Sequence, residues 1–232
     1  MIFRQRAAAV TMMAGLCLLS VALAQDKDAV TVDRPPALCS TRFYDPDNPP
    51  PQMPPPTVDQ AGVTVSEFGC TALVDGTVVQ TAHQDDQVVA QVHVDSVRIE
   101  LRLKITEWIS QSAPAKIHNH EDGHRLIAEH FYVHADEVAG QIGRAFIDKT
   151  VEASAPDAAA AANRALSITA QEIAKRYMRA VRDQSEEVQQ AYDRITVHGT
   201  NKVDEIDAIN RALAWVASEH KSPQTRGDEL LH

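Results

Sequence analysis

Basic side chains are in short supply. The chain carries 22 Lys and Arg against 32 Asp and Glu, for a net charge of -10. Its basic residues are scattered, with no stripe on which a phosphate backbone could settle, and this excludes nucleic acid as a partner. Aromatic residues make up only 5% of the 232 positions while alanine is abundant, which argues against an aromatic β-sandwich core and for a helix-rich one. Cysteine is scarce, at three residues, and there is no internal repeat. Hydrophobic residues, at 44%, are enough to build the core of one ordinary domain with extra segments attached.

The N-terminus has the form of an export signal. Arg4 and Arg6 precede an apolar run from Ala7 to Leu23, and Ala22-Leu23-Ala24 offers small residues where a signal peptidase reads. Residues 1–24 are therefore expected to be a signal peptide cleaved after Ala24, placing the mature chain in the periplasm or outside the cell with no stable membrane insertion. Cleavage removes two arginines and leaves a net charge of about -12. It also removes Cys17, so Cys39 and Cys70 are expected to pair as one disulfide.

Residues 25–60 are proline-rich. Pro35-Pro36, Pro49-Pro50-Pro51 and Pro54-Pro55-Pro56 cannot join a helix or a central strand, so this stretch reads as a linker, a strap over the surface or an inhibitory pro-segment. A β pattern follows from Gly62 to about Ile109, with Asp75-Gly76 read as a turn. Its best strand is Val97 to Ile105, where Val97, Ile99, Leu101, Leu103 and Ile105 alternate with charged residues.

After Pro114 the period changes. Ile117, His120, His124, Ile127, Phe131, Ala135, Val138 and Ile142 recur at helical spacing, predicting a helix of about 25 to 30 residues, broken near Gly140 or Gly143. Asp157 is a good N-cap for a second helical stretch that persists to about Ile195, with Gly199 as its C-cap. Val203 to Glu219 forms a last amphipathic helix, and residues 222–232 read as a flexible tail. The expected architecture is α+β, a small antiparallel β-region followed by a helical core, the two forming one domain over residues 61–221.

The chemistry is concentrated in His120-Glu121-Asp122-Gly123-His124. On a helix, four residues turn the chain through about 400°, so both imidazoles lie on one face, one turn apart, and can reach a single Zn²⁺. Glu121 sits beside the first ligand without occupying a coordination position, which suits a general base acting on a metal-activated water. The alternative is a solvated histidine-rich helix, since His118, His130 and His134 lie nearby. His130 is rotated about 240° from His124 on an unbroken helix, and Glu129 lies about 13 Å along the axis from His120, so neither can complete the site.

The third ligand is expected in Tyr192-Asp193-Arg194-Ile195-Thr196-Val197-His198-Gly199, at the end of an otherwise periodic helix. His198 is favoured as the ligand with Asp193 accepting the free ring N–H of a ligand, although the reverse, Asp193 on the metal, remains open. Tyr192 is a candidate to stabilise an oxyanion.

These two segments resemble a family of secreted bacterial zinc-dependent proteases catalogued as a domain of unknown function. The likeness covers roughly residues 60–200, with the second segment the more specific part. It implies a zinc-dependent, peptidase-like domain and supplies no substrate. The expected activity is a zinc metallopeptidase with a polypeptide substrate. The alternatives are a non-catalytic zinc-binding scaffold of the same fold and a metal-dependent amidase acting on cell-wall peptides. Glu121 favours catalysis, because a scaffold has no use for a base there.

Overall fold

The computed structural model describes residues 29–55 and 60–220. The expected signal peptide and C-terminal tail lie outside the described residues.

The architecture is mixed α+β, built on one very long hairpin. Strand β3 (Gly62–Gln84) runs antiparallel to β4 (Gln87–Ser110) along its whole length. The other edge of β4 is shared end to end by three short strands. They are β5 (Thr150–Ala155), antiparallel to it, and then β1 (Val30–Asp33) and β2 (Leu38–Tyr44), both parallel. Two expectations are corrected here. The sheet is neither small nor purely antiparallel, and the segment expected to be a linker contributes β1 and β2, one on each side of Pro35-Pro36. Parallel pairing is possible because β1 and β2 are separated from β4 by the long excursion through β3, which brings the chain back in the same direction.

Asp75-Gly76 is not a turn. The register shifts there, with Asp75 opposite Ser96 and Gly76 opposite Val94, so the dipeptide lies in a β-bulge and the hairpin turns at Asp85-Asp86. A bulge and a turn draw on the same residue types, and only the partner strand tells them apart. The alternation expected for Val97–Ile105 holds. Val97, Ile99, Leu101, Leu103 and Ile105 are buried and the charged residues between them exposed.

The buried face of the sheet carries three helices. Helix α1 (Ala115–Tyr132) packs on β3 and β4, α2 (Ala135–Arg144) on β1 and β4, and α3 (Ala158–Met178) on β3, β4 and β5. The break between α1 and α2 falls at Val133-His134, ahead of the glycines expected to cause it. Asp157 caps α3 as its position suggested, accepting a hydrogen bond from the Ala160 amide at 2.8 Å. The alanines at the start of α3 let it lie close against Ala90 and Val92. On the opposite face, the strap after β2 sends Met53 over Trp108, beside Tyr44.

Helix α3 continues into α4 (Gln184–Thr196) through one π-helical stretch, Arg179–Asp183. The wider turn resets the helix phase between a segment that packs on the sheet and one that packs on α1. Helix α5 (Glu205–His220) closes a second core with α1 and α4, formed by Ile127, Val188, Ala191, Tyr192, Ala208, Ile209, Ala212 and Val216. Among the described residues, no helix is long and apolar enough to cross a membrane.

Cys39 and Cys70 are both free. Cys39 pairs with Ile105 on one edge of β4, and Cys70 with Leu101 on the other. Two strand spacings alone separate them by roughly 9–10 Å. A disulfide needs Cα atoms within about 7 Å, so the expected bridge cannot form in this fold.

Candidate metal centre

Helix α1 begins directly after Pro114, whose extended backbone and missing N–H suit a helix boundary. One face of α1 carries Ile127 into the core with α4 and α5, and His120 and His124 project from the same side toward α4. Both imidazoles are buried. The other side of the helix is tied down by Arg125. Its guanidinium donates to Asp122 at 2.8 Å and to Glu129 at 2.7 Å, and lies 3.5 Å from the buried Glu107 of β4. Glu129 is thereby engaged far from the histidine pair, and His130 is exposed against Phe131, as the helix geometry required.

Asp193 completes the cluster from α4. Its Oδ1 lies 3.2 Å from His120 Nε2 and 3.0 Å from His124 Nε2. The three ligand atoms all lie within 4.8 Å of one another. Ligand atoms about 2.0–2.1 Å from a tetrahedral ion are spaced roughly 3.3 Å apart, so two imidazole nitrogens and a carboxylate oxygen at these distances can hold a metal ion. Burial works against ionisation of Asp193, but hydrogen bonds and charge from His120 and His124 outweigh it and hold the carboxyl far below its usual range. Burial likewise works against charge on His124, and Asp193, Glu121 and Gln189 together override it and raise its pKa.

The histidines are oriented differently. His124 Nδ1 lies 3.2 Å from Gln189 Oε1, a ring contact of the kind that fixes a ligand's tautomer. His120 Nδ1 is buried without a hydrogen-bond partner. The His120 ring is held by shape instead, stacked on Tyr192 with centroids 5.0 Å apart and planes 11° from parallel. Gly199 closes on its other flank, where an added Cβ would lie 2.8 Å from His120 Cβ.

Glu121 is buried beside the pair, with Oε2 accepting a hydrogen bond from Thr64 Oγ1 at 2.8 Å. Desolvation is the largest influence on it and raises its pKa, partly offset by His124 and the Thr64 hydrogen bond. Glu121 and His120 share a cavity of about 10 Å³ with Gln60, Ala61, Gly62, Ile117 and His198. That is close to the minimum space for one water.

Two expected residues take other places. Tyr192 is completely enclosed, and its hydroxyl donates to Glu205 Oε2 and lies 3.3 Å from the His120 carbonyl oxygen. It supports the back of the His120 ring and cannot meet a substrate. His198 stands outside the three-ligand set, with Nδ1 3.4 Å from Asp193 Oδ1 and its side chain 54% exposed. Asp193, weighed as the ring-orienting group, is therefore the carboxylate that joins the two histidines. Glu205, which anchors Tyr192 and pairs with Lys116, was not legible beforehand, since an acidic residue opening a helix is ordinary N-terminal chemistry.

The backbone after α4 is unusual. Val197, His198 and Gly199 have φ of 51°, 50° and 74°. Left-handed φ at a β-branched valine is costly, about 1–3 kcal/mol. The run reverses the chain so that Gly199 reaches His120. Thr196 is buried and donates to the Tyr192 carbonyl at 2.8 Å, closing the last turn before the reversal.

No protein-family model, curated protein or solved structure matches the chain.

Proposed function

We propose that the protein is a zinc-dependent metallopeptidase that acts outside the cytoplasm, within the secreted zinc-protease family its two motifs resemble. The observation that carries this reading is one carboxylate oxygen, Asp193 Oδ1, lying against both His120 Nε2 and His124 Nε2, with the buried Glu121 on the adjoining cavity. A set of two imidazoles and one carboxylate is a common donor set of catalytic zinc and leaves a coordination position open. The metal would polarise a carbonyl and make water acidic enough to react near neutral pH.

The protein's own residues do the rest. Glu121 accepts a proton from the attacking water, whose oxygen forms a bond to the carbonyl carbon. The C–N bond then breaks, and the departing nitrogen takes the proton that Glu121 received. Burial, by raising the pKa of Glu121, makes it a better proton acceptor than an exposed glutamate. Thr64 keeps its carboxylate turned toward the cavity.

The test is digestion of a broad peptide library by the mature protein loaded with zinc, beside chelator-treated protein and Glu121→Gln. Cleavage by the loaded protein alone is expected, with Glu121→Gln retaining zinc and losing about 10²–10⁴-fold in rate. Cleavage by Glu121→Gln at the unmodified rate would overturn the assignment of the base. A loaded protein that cleaves nothing in the library would overturn the peptidase reading.

A further inference from the structure

We propose that the tip of β3, from Gly76 to Gln84, is a docking edge to which an extended polypeptide adds as a further strand, and that this partner carries a basic side chain at each end of a neutral, β-branched stretch. The tip lies at the other end of the hairpin from Gly62, which packs against Glu121, roughly 70 Å away along a straight strand. This role therefore does not depend on the peptidase reading.

The edge is open. Strand β4 is paired along both edges, but β3 is paired along one, and among the described residues no backbone group bonds to its other edge between Thr77 and Gln84. Every residue from Thr77 to Gln84 is exposed, Val78 and Val79 included. Exposed edges are ordinarily blunted with charged side chains or proline. The run Gly76-Thr77-Val78-Val79-Gln80-Thr81-Ala82-His83-Gln84 has no Asp, Glu, Lys, Arg or Pro, in a chain that is 23% charged. The bulge between Val78 and Gln80 adds twist, which suits one short added strand and not an open stack of strands.

Acids bracket the neutral run. Asp75 precedes it, and Asp85-Asp86 follow it at the hairpin turn. Asp85 and Asp86, with Gln84, Gln87, Val89 and Ser154, line an open cleft of about 430 Å³. Neither carboxylate has a hydrogen bond or ion pair among the described residues. Asp75 accepts a hydrogen bond from the Ser96 hydroxyl at 3.4 Å and has no cation beside it. No basic side chain lines the cleft, and Arg164 donates instead to the Ser154 carbonyl at 3.2 Å.

These charges choose the occupant. A second copy pairing antiparallel through the same run would set Asp75 of one copy against Asp85 of the other, and parallel pairing would also set acid beside acid. The net charge of -10 adds to that repulsion. A lysine or arginine at each end of an incoming strand instead meets both acidic ends, and the cleft receives one of these long side chains. Main-chain hydrogen bonds to the open edge would supply affinity, and the terminal charges would fix the register. Val78, Val79 and Thr81 favour β-branched neighbours on the added strand.

The experiment uses the full mature protein carrying Glu121→Gln, so that no peptide is consumed. The probe is a labelled peptide of alternating Thr and Val, as long as the run, with a lysine at each end. Its control is the same peptide ended in glutamate. Fluorescence anisotropy reads affinity, and amide hydrogen exchange locates the bound peptide. The lysine-ended peptide is expected to bind, to be released as salt rises, and to slow exchange of backbone amides between Gly76 and Gln84. The glutamate-ended peptide should not bind. Asp85→Asn with Asp86→Asn should weaken binding by about 10-fold. Asparagine also adopts the left-handed φ of 53° found at Asp85, so the turn is kept. N-methylation of alternate amides on one edge of the peptide should abolish binding, and on the other edge should not. Equal binding of both peptides would overturn the proposal, as would no binding of the lysine-ended one or protection confined to residues around Glu121. Concentration-dependent dimerisation of the peptide-free protein, lost in Val79→Lys, would assign the edge to a second copy and overturn it as well.

Discussion

Tyr192 occupies the space that a side chain on Gly123 would need. A Cβ built at position 123 would run into the Tyr192 hydroxyl oxygen and lie 2.6 Å from its ring carbon Cζ. The glycine between Glu121 and His124 therefore makes room for the second segment. It lets α4 come close enough for Tyr192 to stack on His120 and for Asp193 to reach both imidazoles.

Gly123→Ala should accordingly push α4 away from α1. Overpacking of a close contact typically costs about 1–3 kcal/mol, and here the displaced residue neighbours Asp193. The variant is expected to unfold at lower denaturant and to bind zinc more weakly than the unmodified protein. Equilibrium unfolding and metal titration measure both. A variant as stable as the parent would mean that the two helices do not approach this closely.

Asp193 and His198 can be ranked by metal titration. Asp193→Ala removes an oxygen that touches both imidazole nitrogens, whereas His198→Ala removes a group outside the set. The loss of zinc affinity should be far larger for Asp193→Ala than the roughly 10–100-fold typical of an outer partner. Competition with a chromophoric chelator gives both constants on one scale. Equal losses would put His198 on the metal as well.

The metal-free protein should show a stability maximum in mildly acidic solution. Asp193 has a folded pKa depressed below its ordinary 3.8, so its contribution is present above that value and is lost as pH falls through the folded pKa. His124 has a folded pKa raised above 6.5, so its contribution is full below that value and is lost as pH rises through the folded pKa. Both act together between about pH 4 and 6.5. Thermal midpoints in chelator should peak there and fall toward pH 8, and Asp193→Asn should flatten the profile. Zinc should shift the optimum upward, because binding requires deprotonated imidazoles.

Thiol labelling tests the corrected cysteine assignment. Mature, denatured protein should titrate two free thiols, since β4 separates Cys39 from Cys70. In the native state Cys39, exposed on β2, should react first. Cys70 is half-buried, and burial pushes its thiol up to about 11, so it should label much more slowly. Absence of free thiol in the denatured protein would contradict the strand register itself.

The residue pattern by itself determined whatever depends on local periodicity. The spacing of His120 and His124 fixes them on one helix face, since rotation per residue is a property of the helix alone. The same reasoning correctly set aside His130 and Glu129, found the alternation of Val97–Ile105 and located the Asp157 cap. Tertiary structure decided what depends on partners distant in the chain. Asp193 rather than His198 meets the histidine pair because a π-helical stretch resets the phase of α4 and a left-handed run at Val197-His198-Gly199 turns the chain back. Neither feature has a hydrophobic period to announce it. Tyr192 became a support instead of a catalytic group because Glu205, on a different helix, encloses its hydroxyl. Asp75-Gly76 became a bulge, and β1 and β2 joined as parallel strands, through pairing with β4. A strand's neighbours are set by the whole sheet, so its own residues cannot specify them.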